Sequence, residues 1–424
     1  MPAGNMSNLP YSTARPADAL FYRPVPIRSD GRRFQLYEYV FYALIVYSML
    51  GEFLGISIGA LGGAMHVALA ILCILRVRSQ IFSIQAAVLI PILSAVSYVS
   101  VQLFVHSESL MDGSIRSMLI WAMDLIIVKS LCTRPGFVRR ASAALFISGL
   151  MLLPFMAFRG GRAELDHTAG VALTNGNDLA LWFGFCALAL TIEGFKTPRG
   201  FRRWMSWTAA ILSAVVLALT VSRGALVTLA VCIMIVLRKQ LKRGFLPILL
   251  VAALAVAAMA SGVLDSAIQK YAERGTEETG RFIIWPRVLA RMWESPAFGV
   301  GLSHFFTDVG GGQMHATHNG FLFIGLASGA VPLFFFCLYW LIGLRGALEG
   351  SSPLNPDSAY LLPLWLYAFM ALFELDGAFM APWSIISVCA CLPHSGFRHR
   401  REIRSGSKRQ LKDGEDFEFM VSRL

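Results

Sequence analysis

Charge is what this chain has least of. Asp, Glu, Lys and Arg make up 15% of its 424 residues, where soluble domains carry about 25%. The residues AVILMFWYC reach 56%, and mean hydropathy is +0.60. A soluble chain this apolar has no interior large enough for the surplus. That excludes an ordinary soluble enzyme and a disordered chain, and leaves an all-α polytopic membrane protein. Cysteine is also missing from where a disulfide framework or zinc site would need it. Cys73, Cys132, Cys186, Cys232, Cys337, Cys389 and Cys391 all sit in apolar stretches, and Cys389-x-Cys391 lacks a second pair. No signal-peptide pattern opens the chain. The first apolar run begins near Phe34 after a polar, proline-bearing leader, and is expected to stay as a span. Gly55, Gly59 and Gly63 have no lysine-serine signature behind them, so their spacing reads as helix packing. There is no convincing internal repeat, which weakens an inverted-repeat transporter.

What is present is a series of apolar runs. A bilayer core takes about 20 residues per helix, and twelve runs are expected, at 35–54, 56–75, 81–104, 117–131, 141–158, 178–192, 204–220, 224–237, 245–263, 319–344, 358–375 and 378–392. The net charge of +11 would suggest nucleic acid in a soluble protein. Here it sorts by side, and no nucleic-acid partner is expected. With both termini cytoplasmic and twelve crossings, 28 of the 37 Lys and Arg residues fall inside, as the positive-inside rule requires. The expected organisation is a cytoplasmic leader at 1–34, a membrane domain at 35–393 with one external loop at 264–318, and a cytoplasmic tail at 394–424.

That loop is long for a connection between helices. Phe282, Pro286, Leu289 and Trp293 recur as an amphipathic stripe, with Pro286 expected in the first helical turn and Arg287 and Arg291 on another face. Such a helix either anchors at the lipid surface or holds arginines over an anionic, lipid-linked substrate. Arg223 lies in Thr220-Val221-Ser222-Arg223-Gly224, the turn of a hairpin that reads as short for two crossings. It is therefore expected near the headgroup plane, where an arginine needs an anion; its fork suits phosphate. His304, His315 and His318 have metal-like spacing, but the glycines between them and the lack of HExxH argue against a metal. His318, read as opening a helix, would be kept neutral by the dipole and so be able to act as a general base. Asp124 lies in mid-span as a proton or ion site or a bundle partner. Glu374 and Asp376 are expected at an outer helix end within reach of water.

Ser222-Arg223-Gly224, Gly280-Arg281 with Trp285, Pro296, Gly299-Val300-Gly301, His318-Asn319 with Gly325 and Gly329, and Asn177-Asp178-Leu179-Ala180 come in an order that resembles the O-antigen ligase and exopolysaccharide polymerase superfamily. The resemblance covers roughly 170–344. It implies a GT-C-like membrane glycosyltransferase of about 12 transmembrane helices in the bacterial inner membrane. The donor would be a polyprenyl-diphosphate-linked glycan and the acceptor a glycan or lipid hydroxyl, with inversion and no cofactor, nucleotide sugar or metal. Arg223, Arg281 and His318 would be catalytic, and Arg287, Arg291, His315 and Asn319 would contact substrate. The rival reading is a multi-span transporter or lipid flippase built around Asp124 and Glu374.

Overall fold

The computed structural model describes residues 31–54, 59–132, 134, 136–158, 176–220, 222–241, 281–304, 306–308, 314–350 and 358–392. The expected ninth span, the tail, most of the leader, and Arg159, Arg162, Lys270 and Arg274 lie outside them.

The apolar runs fold into helices, even where Pro91 and Pro363 lie inside them: α1 (Gly31–Leu54), α2 (Gly59–Phe104), α3 (Gly113–Leu131), α4 (Phe137–Phe158), α5 (Gly176–Lys196), α6 (Phe201–Leu219), α7 (Arg223–Leu241), α8 (Arg281–Glu294), α9 (Gly320–Ser328), α10 (Ala330–Glu349), α11 (Ser358–Ala371) and α12 (Pro382–Cys391). Among the described residues the strands are one two-residue antiparallel ladder, β1 (Thr307–Asp308) with β2 (Met314–His315). Apart from that ladder, the regular structure of the described residues is helical. By length and composition alone, two described helices are fit to cross a membrane, α5 and α10. Side chains such as Val96, Val227, Met234, Phe334 and Leu341 are apolar and exposed on the outside of the bundle, the surface a membrane covers.

Three expectations change. The second and third runs lie in one helical stretch, α2, because no Gly or Pro interrupts 76–87. The stretch is not straight. His66 approaches Asp124 to 3.6 Å. In a straight α2, however, His66 would lie roughly 57 Å from the Phe104 end, while Asp124 sits only about 17 Å into α3 from that same end. The stretch therefore bends between the two halves. The tenth run is two helices, α9 and α10, divided at Gly329, whose φ is +80°. The α6–α7 hairpin is longer than expected. Its helices continue through the charged flanks Arg202–Arg203 and Arg238–Lys239, and 19 residues each give about 28 Å, close to a full hydrocarbon thickness.

An aromatic core holds α3, α10 and the α11–α12 connection together. The Trp121 ring stands edge-on to Phe379 at 5.2 Å and to Tyr339 at 5.8 Å, and Phe336 meets Phe379 at 4.9 Å. At one end of the bundle, Glu38 of α1 is gripped by Arg134 and Arg140. There the buried Lys129 of α3 donates to the carbonyls of Leu392 at 2.7 Å and Cys389 at 3.4 Å, capping the C-terminus of α12. The opposite end gathers the N-termini of α3, α7, α8 and α9.

A candidate active site where four helices begin

Three segments far apart in sequence meet at this second end. Arg281, the first residue of α8, donates from Nη2 to Glu374 Oε2 at 2.7 Å, with both side chains largely buried. The Glu374 carboxylate in turn lies against Gly224, in the first turn of α7, so closely that a Cβ there would overlap it. Arg223, half-buried, heads the same helix. The carboxylate is thus lodged between an arginine and a helix N-terminus, an environment that favours negative charge.

His318 is held beside it by its neighbours. Asp376 Oδ1 accepts from the Thr317 hydroxyl and, at 2.8 Å, from the backbone N–H of Asn319. One carboxylate thus ties down the residues on either side of the histidine. Trp285 of α8 donates to the Thr317 carbonyl at 3.0 Å. Asn319 caps α9 rather than His318 opening it: its side chain accepts from the N–H groups of Phe321 at 2.9 Å and Leu322 at 3.2 Å. Gripped this way, His318 takes φ +48°, a left-handed conformation that a side chain adopts only when its surroundings impose it. Its imidazole feels the charges of Asp376, Glu374, Arg281 and His315. Burial pushes its pKa down, with Arg281 and His315 adding to the effect and the carboxylates opposing it. Burial rather than the helix dipole is thus the leading cause. Burial likewise pushes Asp376 up, against the hydrogen bonds it accepts.

The remaining sequence candidates fall in different places. His315, in β2, is half-buried near His318. Arg287 is exposed on α8. Arg291 holds the loop that follows α8. Its guanidinium donates to the carbonyls of His304 at 2.5 Å and Phe306 at 2.7 Å and to the Thr307 hydroxyl at 3.3 Å. The stripe expected to define α8 also divides differently. Ile284 and Val288 are the buried face, packed with Leu326 of α9, while Pro286, Leu289 and Trp293 are exposed. Pro286 sits in the second turn rather than the first.

The glycine motif behind the loop has a direct cause. Val300 and Gly301 donate to the carbonyls of Leu326 and Ala327 at 2.7 and 3.1 Å, and Ala330 donates to Pro296 at 2.9 Å. Backbone meets backbone so closely that a Cβ on Gly299 or Gly329, both at positive φ, has no room. The α2–α3 connection closes over this loop. His106 bonds the Phe298 carbonyl at 2.9 Å, and Ser303 donates to Glu108, holding that carboxyl below its usual range.

Among the described residues no three His, Cys, Asp or Glu side chains are arranged to hold a metal. The arrangement brings together an arginine–carboxylate pair at a helix N-terminus and an imidazole whose pKa burial lowers. Glu374 and Asp376 are the side chains that tie this arrangement together, and the sequence pointed to them only as acids within reach of water. Two acids at the end of a strongly apolar helix were the available signal.

Residues 208–337 match the family model described as O-antigen ligase. No curated protein matches the chain.

Proposed function

We propose, from the resemblance of residues 208–337 to the O-antigen ligase family, that this is a membrane protein of glycan transfer in cell-surface polysaccharide biosynthesis, and that it moves a glycan from a polyprenyl-diphosphate donor to an acceptor hydroxyl at the outer face of the inner membrane. The observation that carries this reading is the Arg281–Glu374 pair over Gly224, with His318 in electrostatic reach. It brings the arginine turn, the loop arginine and the histidine to one place.

In the proposed reaction the donor diphosphate takes the position that Glu374 holds. Arg281 and Arg223 neutralise the charge that grows on the leaving group, and the first turn of α7 supplies a favourable dipole. The acceptor oxygen attacks the anomeric carbon from the side opposite the diphosphate. Its proton passes to the His318 imidazole, and the bond to the diphosphate oxygen breaks with its electron pair, so configuration inverts. His315 and Asn319 line the approach, and Arg287 and Arg291 support it from α8, Arg291 by holding the loop. The architecture proposed is GT-C-like, with twelve spans, both termini cytoplasmic and residues 264–318 external.

The test is transfer by the purified protein from a polyprenyl-diphosphate oligosaccharide to candidate acceptors. Appearance of a longer or newly lipid-attached glycan with release of polyprenyl diphosphate is the expected result. A second reading, a transporter or lipid flippase, has the buried His66–Asp124 pair in its favour. Movement of lipid-linked glycan across vesicles without any glycosidic transfer would select it.

A further inference from the structure

Beside Asp376, on the side of α3, lies a cleft of about 440 Å³, within the size range of small-molecule sites. One wall is the start of α3, with Asp112, Ser114 and Ser117; the other is Phe323 of α9 with Asp376 and Met380 of the α11–α12 connection. Resting on the function proposed above, we infer that this cleft binds the acceptor sugar, and that it selects a neutral, hydroxyl-rich ring over an acidic one.

Three observations converge on that assignment. The lining mixes hydroxyls and carboxylates, which pair with sugar O–H groups, with the apolar surfaces of Phe323 and Met380, which suit a ring face. Its charge has the wrong sign for a diphosphate. The cleft is bordered by Asp112 and Asp376, whereas Arg223 and Arg281 lie on the Glu374 side. The two sides meet at Asp376, the residue that clamps the chain around His318. An acceptor in the cleft is thus separated from the Glu374 side by the residue that holds both neighbours of the base, which suits attack on a diphosphate-linked sugar, because nucleophile and leaving group stand on opposite sides of the anomeric carbon. A uronic acid in the cleft would face two aspartates and be disfavoured.

Two glycines on the cleft's lining have open space beside them. Gly113 and Gly377 line it, are exposed, and have nothing within 4 Å of where a Cβ would stand. Neither has a positive φ. A Cβ at either position meets no neighbour, so a graded series of Ala, Leu and Phe at each separates occlusion of the cleft from misfolding.

The experiment measures transfer by the purified full chain at varied donor and acceptor concentration. It also measures direct binding of an oligosaccharide released from the cells' surface glycan by mild acid, in neutral form and in a form bearing a uronic acid. Gly113→Phe and Gly377→Phe should each raise the acceptor KM at least tenfold and leave the donor KM within twofold, with Ala and Leu in between. The neutral oligosaccharide should bind wild type, and Gly377→Phe should remove that binding. An unchanged acceptor KM in both Phe variants overturns the inference. So does a rise confined to the donor KM, or tighter binding of the acidic oligosaccharide. A wild-type protein that transfers nothing defeats the proposed function instead. The binding arm still decides the cleft, which is refuted if Gly377→Phe binds the neutral oligosaccharide as wild type does.

Discussion

Arg281 grips Glu374 across 2.7 Å, and the carboxylate it holds occupies the space that a side chain on Gly224 would need. If this carboxylate stands where the donor diphosphate binds, the two compete. Glu374→Gln removes the competing charge, so the affinity of the purified protein for inorganic diphosphate should rise about three- to tenfold, the ~1 kcal/mol scale of a partly shielded ion pair. Weaker binding in Glu374→Gln would assign the carboxylate to holding Arg281 in place instead. Gly224→Ala should lower transfer although alanine is the better helix former by up to about 1 kcal/mol, because its methyl displaces the carboxylate.

Arg223→Ala and Arg281→Ala should each abolish transfer while the protein still inserts and accumulates. Loss of one charge-stabilising contact in a dry site costs about 3 kcal/mol or more of transition-state stabilisation, roughly 10²-fold in rate. Lysine at either position should restore only part of the rate, since a point charge lacks the two-pronged geometry. Full-length glycan at normal yield from both alanine variants would remove the arginines from the reaction.

For His318, asparagine is the cleaner substitution than alanine, because Asn tolerates the left-handed backbone that residue 318 adopts. His318→Asn should cut turnover by about 10² to 10⁴, the range for a general base, with diphosphate affinity retained. The pH profile carries a sign. An imidazolium cannot accept a proton, and burial sets the pKa of His318 below the usual 6.5. The rate should therefore hold through neutrality and fall only as pH drops below that value. His318→Asn should lack this acid limb and His315→Asn should keep it; the reverse pattern identifies His315 as the base.

The loop's side of the membrane is open to a labelling test. Gly311→Cys should react with a membrane-impermeant maleimide added outside intact spheroplasts. Reaction only after the inner face is opened would place the donor position in the cytoplasm and end the outer-face mechanism.

Arg223, Arg281 and His318 could be singled out from the sequence because each sits in a short local pattern that a linear reading can pick out. It did not show what Glu374 and Asp376 do. Their partners stand 93 and 57 residues away, and a carboxylate at a helix end looks the same whether it meets water or an arginine. Hydropathy placed most helices but stopped short on α6 and α7, because it counts flanking arginines and lysines as loop when they continue the backbone helix. It also read α9 and α10 as one span. A break whose carbonyls are satisfied by a different segment leaves no trace in apolarity, although Gly299 and Gly329 signalled the close approach that makes it.

That break bears on how the protein is made. The carbonyls of Leu326 and Ala327 are met by Val300, Gly301 and the side chain of Gln102, all translated earlier than α9. Lipid offers those carbonyls no partner. The kinked pair therefore cannot leave the translocon as a self-sufficient hairpin; it needs residues 296–301 already waiting on the far side. Deprived of them, residues 319–344 have the length and apolarity to insert as one unbroken helix. Glycosylation mapping of α9–α10 expressed with and without 296–301 should see the difference, with α10 beginning at a shallower depth only when the loop precedes it.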